Sequence, residues 1–277
     1  MSKYNKPKNN ILVFLFISFF SFNTSKAQLI YNPSNDCFLL LTAKGNSSCN
    51  IYVEQYSFGS PSGKKNKYAE LTFNNGNLDS YKKFSLDFNS NNKYDHLEFL
   101  LKLEFENDVI SQLKSYNSDG DLIKKFRFQY DSKGKDNTVS VIEQNSGNVL
   151  NKSVNIDSKG ILCLPYLHFL RDITDDQRIV INEGQQNNAN VTSLSKFEDE
   201  SYDQTKQLFV FSNTFNLLSY KRYNVIEEET MSGFKKTEMV EQKFRLKYSA
   251  DTYGNPMEIV LYGDMDEPEY KFTFEYF

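Results

Sequence analysis

The amino-acid sequence predicts a mainly β fold, built as an antiparallel meander of hairpin repeats. After residue 50, apolar and polar residues alternate with period two, which is the pattern of strands with one buried face. Clusters of Asn, Asp, Ser and Gly separate these runs, as turns separate strands. One turn pattern recurs with the same internal spacing, from Tyr116 to Gly120 and again from Tyr130 to Gly134. These patterns leave open whether the sheet is open, a sandwich or barrel-like.

The clearest hairpin is predicted around Asn75 and Gly76. Residues 68–73 alternate, the turn Asn74-Asn75-Gly76-Asn77 follows, and a second run continues to residue 88. The Asn-Gly pair readily adopts the positive φ angles that a two-residue hairpin turn needs. We therefore expect two neighbouring antiparallel strands here.

The middle of the chain differs from the alternating parts. Residues 161–173 lack alternation and turn residues, and Pro165 can open a helix, so we expect one short helix near 164–172. The polar segment 183–206 predicts a long loop or an irregular hairpin. The charged segment 227–236 predicts an exposed connection. Around these segments, a second group of strands is expected at 208–212, 217–226, 239–248, 257–262 and 270–277.

The N-terminal segment 1–27 has the three parts of a cleavable secretory signal peptide. Residues 1–10 carry three lysines and no acid, residues 11–22 are apolar, and Ser25 and Ala27 are small residues before a break at Gln28. The apolar run is shorter than the roughly 18–20 residues that span a bilayer. We expect cleavage between Ala27 and Gln28. The mature protein is then secreted or periplasmic, and the cell surface is one of its possible locations.

The mature chain 28–277 is then a single β-rich domain, or two β halves with a break near 161–206. Cleavage removes four lysines and no acid, which leaves 28 basic and 36 acidic residues and a net charge of −8. Nucleic-acid binders need a basic face for phosphate contacts, so an acidic chain argues against that class. No later apolar run is long enough for a membrane helix.

The chain has three cysteines, Cys37, Cys49 and Cys163. In an oxidising compartment, Cys37 and Cys49 could close a short disulfide loop that holds the start of the mature chain. Cys163 lies in an apolar stretch, where a buried free thiol is expected.

Four segments share an aromatic or aliphatic residue, a polar turn and a glycine: YNSDGDL at 116–122, YDSKGKD at 130–136, IDSKGIL at 156–162 and YGNP at 253–256. They resemble the YD-type, RHS-like β-hairpin repeats of bacterial exported proteins. The chain as a whole is similar to secreted proteins of Bacteroidetes type. The resemblance implies an antiparallel β-repeat sheet and export, with the aromatic residue stacked on a neighbouring strand, and it carries over no catalytic residue.

Residues with catalytic or metal-binding chemistry form no motif in this sequence. The two histidines, His96 and His168, fall in no spaced ligand pattern, so surface or packing roles are expected for both. The acidic run 264–269 could hold Ca²⁺ through oxygen ligands, but a solvated hairpin tip explains it as well. We predict no catalytic residue, no metal site and no cofactor.

The function that these observations favour is a non-enzymatic binding or structural module for a glycan or a protein, at the cell surface or in the periplasm. The first alternative is an outer-membrane β-barrel, because the chain ends in the aromatic Phe277. However, Glu275, Thr273 and Lys271 occupy the alternate positions where a lipid-facing strand needs apolar residues. The second alternative is a glycan hydrolase with two carboxylates, which only export and acidity support.

Overall fold

The computed structural model describes eleven stretches of the chain: residues 28–32, 37–86, 96–106, 109–131, 138–143, 153–155, 177–186, 189–198, 201–212, 216–230 and 233–277. These residues form 18 strands and no helix: β1 Gln28–Asn32, β2 Cys37–Thr42, β3 Ser48–Ser57, β4 Ser60–Pro61, β5 Asn66–Asn74, β6 Asn77–Phe84, β7 Leu97–Glu106, β8 Val109–Tyr116, β9 Leu122–Asp131, β10 Thr138–Glu143, β11 Ser153–Asn155, β12 Gln177–Gln186, β13 Ala189–Glu198, β14 Ser201–Phe211, β15 Leu217–Thr230, β16 Gly233–Ala250, β17 Pro256–Tyr262 and β18 Pro268–Tyr276.

Fifteen of these strands form one antiparallel sheet. Its order is β12-β13-β14-β15-β16-β17-β18-β3-β5-β6-β7-β8-β9-β10-β11, and every neighbouring pair is antiparallel. Most neighbouring strands are consecutive in the chain. The pairing of β18 with β3 joins the C-terminal meander, β12 to β18, to the N-terminal meander, which begins at β3. Among the described strands no pairing connects β11 with β12, so the sheet is open. The predicted mainly β, antiparallel meander is confirmed.

The hairpin of β1 and β2 lies against one face of this sheet. The ring of Tyr31 contacts Tyr220 on β15, with ring centres 5.0 Å apart. The backbone N–H of Phe38 donates to the hydroxyl of Tyr68 on β5. Four strands separate β15 from β5, a distance of about 24 Å in a flat sheet at about 4.8 Å per strand. Since one two-stranded hairpin reaches both strands, the sheet curves around it.

We call the face toward this hairpin the inner face. On β7, Phe99, Leu101 and Leu103 are buried on it, whereas Lys102 and Glu104, at the alternate positions, are exposed. On the hairpin itself, five successive residues from Cys37 to Leu41 are buried. A strand that is covered on both sides can be apolar at every position, whereas the sheet strands alternate.

Asn255, in the turn between β16 and β17, binds the chain just after the end of β2. Its side chain is completely buried. The Asn255 Oδ1 accepts from the Lys44 N–H at 3.0 Å, and its Nδ2 donates to the Lys44 carbonyl at 3.1 Å. A second Nδ2 bond reaches Asp251 Oδ2 at 2.9 Å. These bonds tie the chain after β2 to a turn near the other end of the sequence.

Three hairpin turns of five residues share one backbone hydrogen-bond pattern. The N–H of the first turn residue (residue 1) donates to the carbonyl of the fifth, and the N–H of the fourth donates to the carbonyl of the first. This pattern occurs in the turns that begin at Asn117, Asp251 and Gly263. In the first two turns the side-chain oxygen of residue 1 also accepts two backbone N–H groups. The predicted turns near Gly120 and Gly254 are confirmed, and so is the tight turn at Asn75-Gly76.

For the segment 183–206, the long loop is wrong and the irregular hairpin is confirmed. Its described residues belong to β12, β13 and β14, which pair antiparallel with a register shift between Phe197 and Glu198. The expected connection at 227–236 is wrong. The segment 227–236 is mostly strand, and its register sets Glu227 opposite Lys236 and Glu228 opposite Lys235. Opposite charges on facing positions stabilise a pair of polar strands, so a charged sequence need not be a loop.

The predicted helix near 164–172 lies outside the described residues. Whether residues 28–277 form one domain or two halves with a break near 161–206 stays a prediction. In the part of the chain that the structure describes, no helix is long and apolar enough to cross a membrane.

Candidate functional site

A cleft of about 330 Å³ opens between the β1–β2 hairpin and the inner face of the sheet. It lies at the end of the sheet where β1 ends and β2 begins. Nine of the fifteen residues around it are aromatic or aliphatic, and five are polar or charged. The cleft is lined by Tyr31, Phe38, Val53, Tyr68, Lys83, Leu86, Gln242, Lys243, Phe244, Leu261, Gly263, Asp264, Glu269, Tyr270 and Phe272.

Aromatic rings form the walls of the cleft. Phe38 contacts Phe244 and Phe272 edge to face, with ring centres 5.5 and 5.7 Å apart. Tyr31 packs against Phe244 in the same way at 5.2 Å, and Tyr68 packs against Phe272 at 5.0 Å. Edge-to-face packing is favourable for aromatic pairs and fixes ring orientation. Five of the six aromatic rings that line the cleft are therefore packed against one another.

Lys83 places one charge on this apolar surface. Its cross-strand partners are Ala69 on β5 and Phe99 on β7, both buried on the inner face. Its side chain is only 8% exposed. The ammonium lies 4.2 Å from the centre of the Tyr68 ring and donates to the Phe84 carbonyl at 3.2 Å. A buried amine of this kind offers a hydrogen-bond donor at the cleft wall.

The rim of the cleft on the β17–β18 side is polar and exposed. Asp264 Oδ1 accepts the backbone N–H of Lys243 at 3.1 Å, which holds the turn against β16. Next to it, Arg245 binds Asp266 Oδ1 through two nitrogens at 2.6 and 2.9 Å. The carboxylate of Glu269 lies directly over Gly263, in the space that a Cβ there would need. The rim thus supplies carboxylate and amide groups around an aromatic interior.

A second hollow, of about 380 Å³, lies at the opposite end of the sheet beside the β5–β6 turn and β7. Its lining includes three asparagines of that turn, Asp79 and Glu104, with Leu78, Leu103 and Phe105. It contains no buried charge and no cluster of aromatic rings among these lining residues. The first cleft therefore combines aromatic walls with convergent polar groups, as small-molecule sites do.

The structure places the two predicted disulfide cysteines on strands that do not pair with each other. Cys37 begins β2 and Cys49 lies on β3, and both are buried thiols. Burial raises the pKa of Cys49 to about 12, with the nearby Glu275 carboxylate adding to the rise and a backbone hydrogen bond from Glu275 opposing it. Where the sequence predicts a possible bridge, the structure therefore has two thiols embedded in the core.

The remaining sequence-predicted residues lie apart from the cleft or outside the described residues. Gln28 is the first described residue and begins β1, whereas Ala27, Cys163 and His168 lie outside the described stretches. Cleavage between Ala27 and Gln28 stays a prediction. His96 is exposed before β7, and its carbonyl accepts the Ser85 N–H. Among the described residues, no three His, Cys, Asp or Glu side chains meet as metal ligands.

Of the cleft residues, the sequence singles out only Asp264 and Glu269, as members of the acidic run 264–269, and it predicts no cleft around them. One signal was available for Lys83, since Tyr81 and Lys83 fall on the same face of an alternating strand, where an apolar residue is expected at both positions. No sequence pattern predicts that the aromatic residues of the walls come together. Their assembly depends on the β1–β2 hairpin folding inside the curve of strands that come much later in the chain.

No family model matches this chain, and no curated protein matches it. Among solved structures it is similar to a porin-like protein from Bacteroides uniformis, with 9% identity, a TM-score of 0.35 and coverage of 84% of this chain and 96% of that one. It is also similar to a domain from Vibrio parahaemolyticus described as an outer membrane lipoprotein-sorting protein, with 10% identity, a TM-score of 0.31 and coverage of 84% and 86%. Both TM-scores lie below 0.5, so neither likeness bears on the site.

Proposed function

We propose that this chain is an exported, non-enzymatic binding protein whose aromatic cleft takes a glycan. The observation that carries the proposal is the composition of the cleft, which six aromatic residues line together with amide, carboxylate and amine groups, and Tyr270 is the most exposed of the six. The C–H face of a sugar ring packs against an aromatic ring, and its hydroxyls hydrogen-bond to such polar groups. The volume of about 330 Å³ lies at the lower end of the range for small-ligand sites.

The geometry of the cleft supports a preformed site. Five of the six rings contact one another at 5.0–5.7 Å, so a ligand does not have to order these five. Rigid walls reduce the entropy that binding costs. A site of this size and rigidity fits one or two sugar units of a chain better than a broad protein surface, which needs roughly 800 Å² on each partner.

Glycan-array binding followed by calorimetry tests the proposal. The variant Tyr270→Ala removes a half-exposed ring from the cleft wall. Its matched control is Tyr253→Ala, which removes a tyrosine that is 60% exposed on the turn at the other end of the sheet. We expect glycan binding that Tyr270→Ala weakens about tenfold and Tyr253→Ala leaves unchanged, since one aromatic contact contributes about 1–1.5 kcal/mol.

Three outcomes would contradict the proposal. One is the absence of binding to any glycan by the folded protein. A second is equal binding by both tyrosine variants, which would put the site elsewhere. A third is release of reducing ends from a bound glycan, which would indicate a hydrolase.

A further inference from the structure

We infer that Lys83 makes the cleft selective for acidic glycans, those whose sugars carry a carboxylate. This inference rests on the proposed glycan-binding function and adds the charge of the ligand. It starts from the position of the lysine. Lys83 lies in the same cross-strand row as Ala69 and Phe99, so its ammonium is on the inner face and not in solvent.

The described contacts of Lys83 compensate its charge only in part. The ammonium has three N–H donors. One donates to the Phe84 carbonyl, and the ring of Tyr68 provides a cation–π contact at 4.2 Å. The nearest acid is Glu98, whose Oε2 lies 3.6 Å away and whose side chain is 51% exposed. At that distance the pair is an ion pair without a short hydrogen bond, and solvent screens it.

Glu54 does not offset this charge. It is the other buried charged residue among those described. Its cross-strand partner is Lys271, which alternates with the inner-face residues Tyr270 and Phe272. Glu54 and Lys271 therefore lie on the outer face, away from the cleft. Within the described part of the inner face, Lys83 is the buried charged residue.

The carboxylates at the rim act on a ligand less strongly than Lys83 does. Asp264 and Glu269 are exposed, and water reduces the force of exposed charges. Lys83 lies in an apolar wall, where the same charge acts through a lower dielectric. A carboxylate that enters the cleft gains a hydrogen bond from Lys83 together with the attraction between two opposite charges, whereas a neutral group at the same place gains only the hydrogen bond.

Uronic acids and their methyl esters provide the probe, because esterification removes the charge and keeps the sugar. Oligogalacturonate and oligomannuronate, each as the acid and as the methyl ester, are titrated into the wild type by calorimetry. We expect at least one acid to bind about tenfold tighter than its ester, because the ester keeps a hydrogen bond from Lys83 but loses the attraction between the two charges. The advantage of the acid should decrease as NaCl is raised, and binding of the ester should not change.

Two variants assign this preference to one residue. Lys83→Met keeps the length of the side chain and removes the charge, and we expect the acid and the ester to bind it equally. Lys82→Met is the matched control, because Lys82 is the adjacent lysine and is exposed. It should retain the preference. Lys83→Arg keeps the charge and should retain a preference even if the methionine variant folds poorly.

The outcomes separate this inference from the proposed function. Equal binding of acid and ester by the wild type, or binding of neutral glycans alone, overturns the role of Lys83 and leaves the glycan site in place. A preference that persists in Lys83→Met also overturns it. No binding of any glycan overturns both proposals, and binding of acidic peptides in place of glycans assigns the cleft to a protein partner.

Discussion

The ammonium of Lys83 lies 4.2 Å from the centre of the Tyr68 ring, and the Tyr68 hydroxyl accepts the backbone N–H of Phe38 in the central hairpin. Tyr68 therefore connects the buried charge in the cleft wall to the hairpin that the sheet surrounds. This relationship makes the cleft and the fold interdependent. Features that hold the hairpin in place also hold the walls of the proposed site.

Asn255→Ala should destabilise the protein strongly, because it removes the side chain that binds both backbone groups of Lys44. The Lys44 N–H and carbonyl would lose their partners in a part of the fold where Asn255 is completely buried. We expect the free energy of unfolding in urea to fall by about 2–4 kcal/mol. Asn74→Ala, at an exposed position at the end of β5, is the control and should change it by less than about 0.5 kcal/mol. Similar losses in both variants would show that this contact does not hold the hairpin.

Gly76→Ala should cost more than Gly120→Ala, although both glycines have positive φ angles of 82° and 88°. An added Cβ at Gly76 would lie 3.3 Å from the Ala43 carbonyl, and at Gly120 it would meet nothing within 4 Å. The left-handed conformation alone costs an alanine about 1 kcal/mol. We expect that loss at Gly120 and about 2 kcal/mol at Gly76, measured by urea unfolding. Equal losses of unfolding free energy would mean that the β5–β6 turn is not in close contact with the residue that follows β2.

The Cys49 thiol should be inert in the folded protein and reactive after unfolding. Burial raises its pKa to about 12, so very little thiolate is present at pH 8. Iodoacetamide labelling without a reductant should modify Cys49 in urea and not in buffer, as read by peptide mass spectrometry. A cysteine introduced at the exposed Ser60 is the control and should react in both conditions. A linked Cys37–Cys49 peptide in the unreduced digest would instead establish the bridge that the sequence predicts.

Stability should fall at alkaline pH, because several buried acids must stay neutral in the fold. Burial raises the pKa of Tyr81, Tyr248 and Tyr276 above the ordinary value of 10.0, and that of Cys49 above 9.0. The stability that these groups contribute is complete below pH 9 and decreases as the pH rises above their unfolded-state values. Each ionisable group contributes a slope of about 1.4 kcal/mol per pH unit.

Urea unfolding at pH 8, 9, 10 and 11, with tyrosinate absorbance recorded in parallel, checks this pH dependence. We expect the exposed tyrosines to ionise near pH 10 and the buried ones only as the protein unfolds. Tyr248→Phe should reduce the alkaline loss, because the variant has one fewer buried hydroxyl to ionise. Stability that is constant up to pH 11 would contradict the buried state of these tyrosines.

The sequence predicts the sheet strands and their turns because both depend on local chemistry. The alternation at Phe272 and Phe274 and the turn at Asn75-Gly76 need only the residues around them. The inner hairpin could not be predicted in the same way. Residues from Cys37 to Leu41 are apolar without alternation, since β2 is covered on both faces, and nothing local shows what covers them.

The site was missed for a related reason. Tyr31, Phe244 and Tyr68 each look like ordinary core residues in their own strands, and only the long-range path of the chain brings their rings together. The charged segment 227–236 predicts a connection because one strand alone does not reveal its partner, and the pairing of β15 with β16 appears only in the structure.

The measurement that tests the central claim most directly is a ¹H–¹⁵N NMR titration of the folded protein with the glycan that it binds best. We predict that amide shifts concentrate on the cleft rim, at Lys243, Asp264 and Tyr270, and leave the turns at Gly76 and Gly254 unchanged. Shifts at those distant turns, or no shifts with any glycan at millimolar concentration, would contradict a glycan site between the hairpin and the sheet.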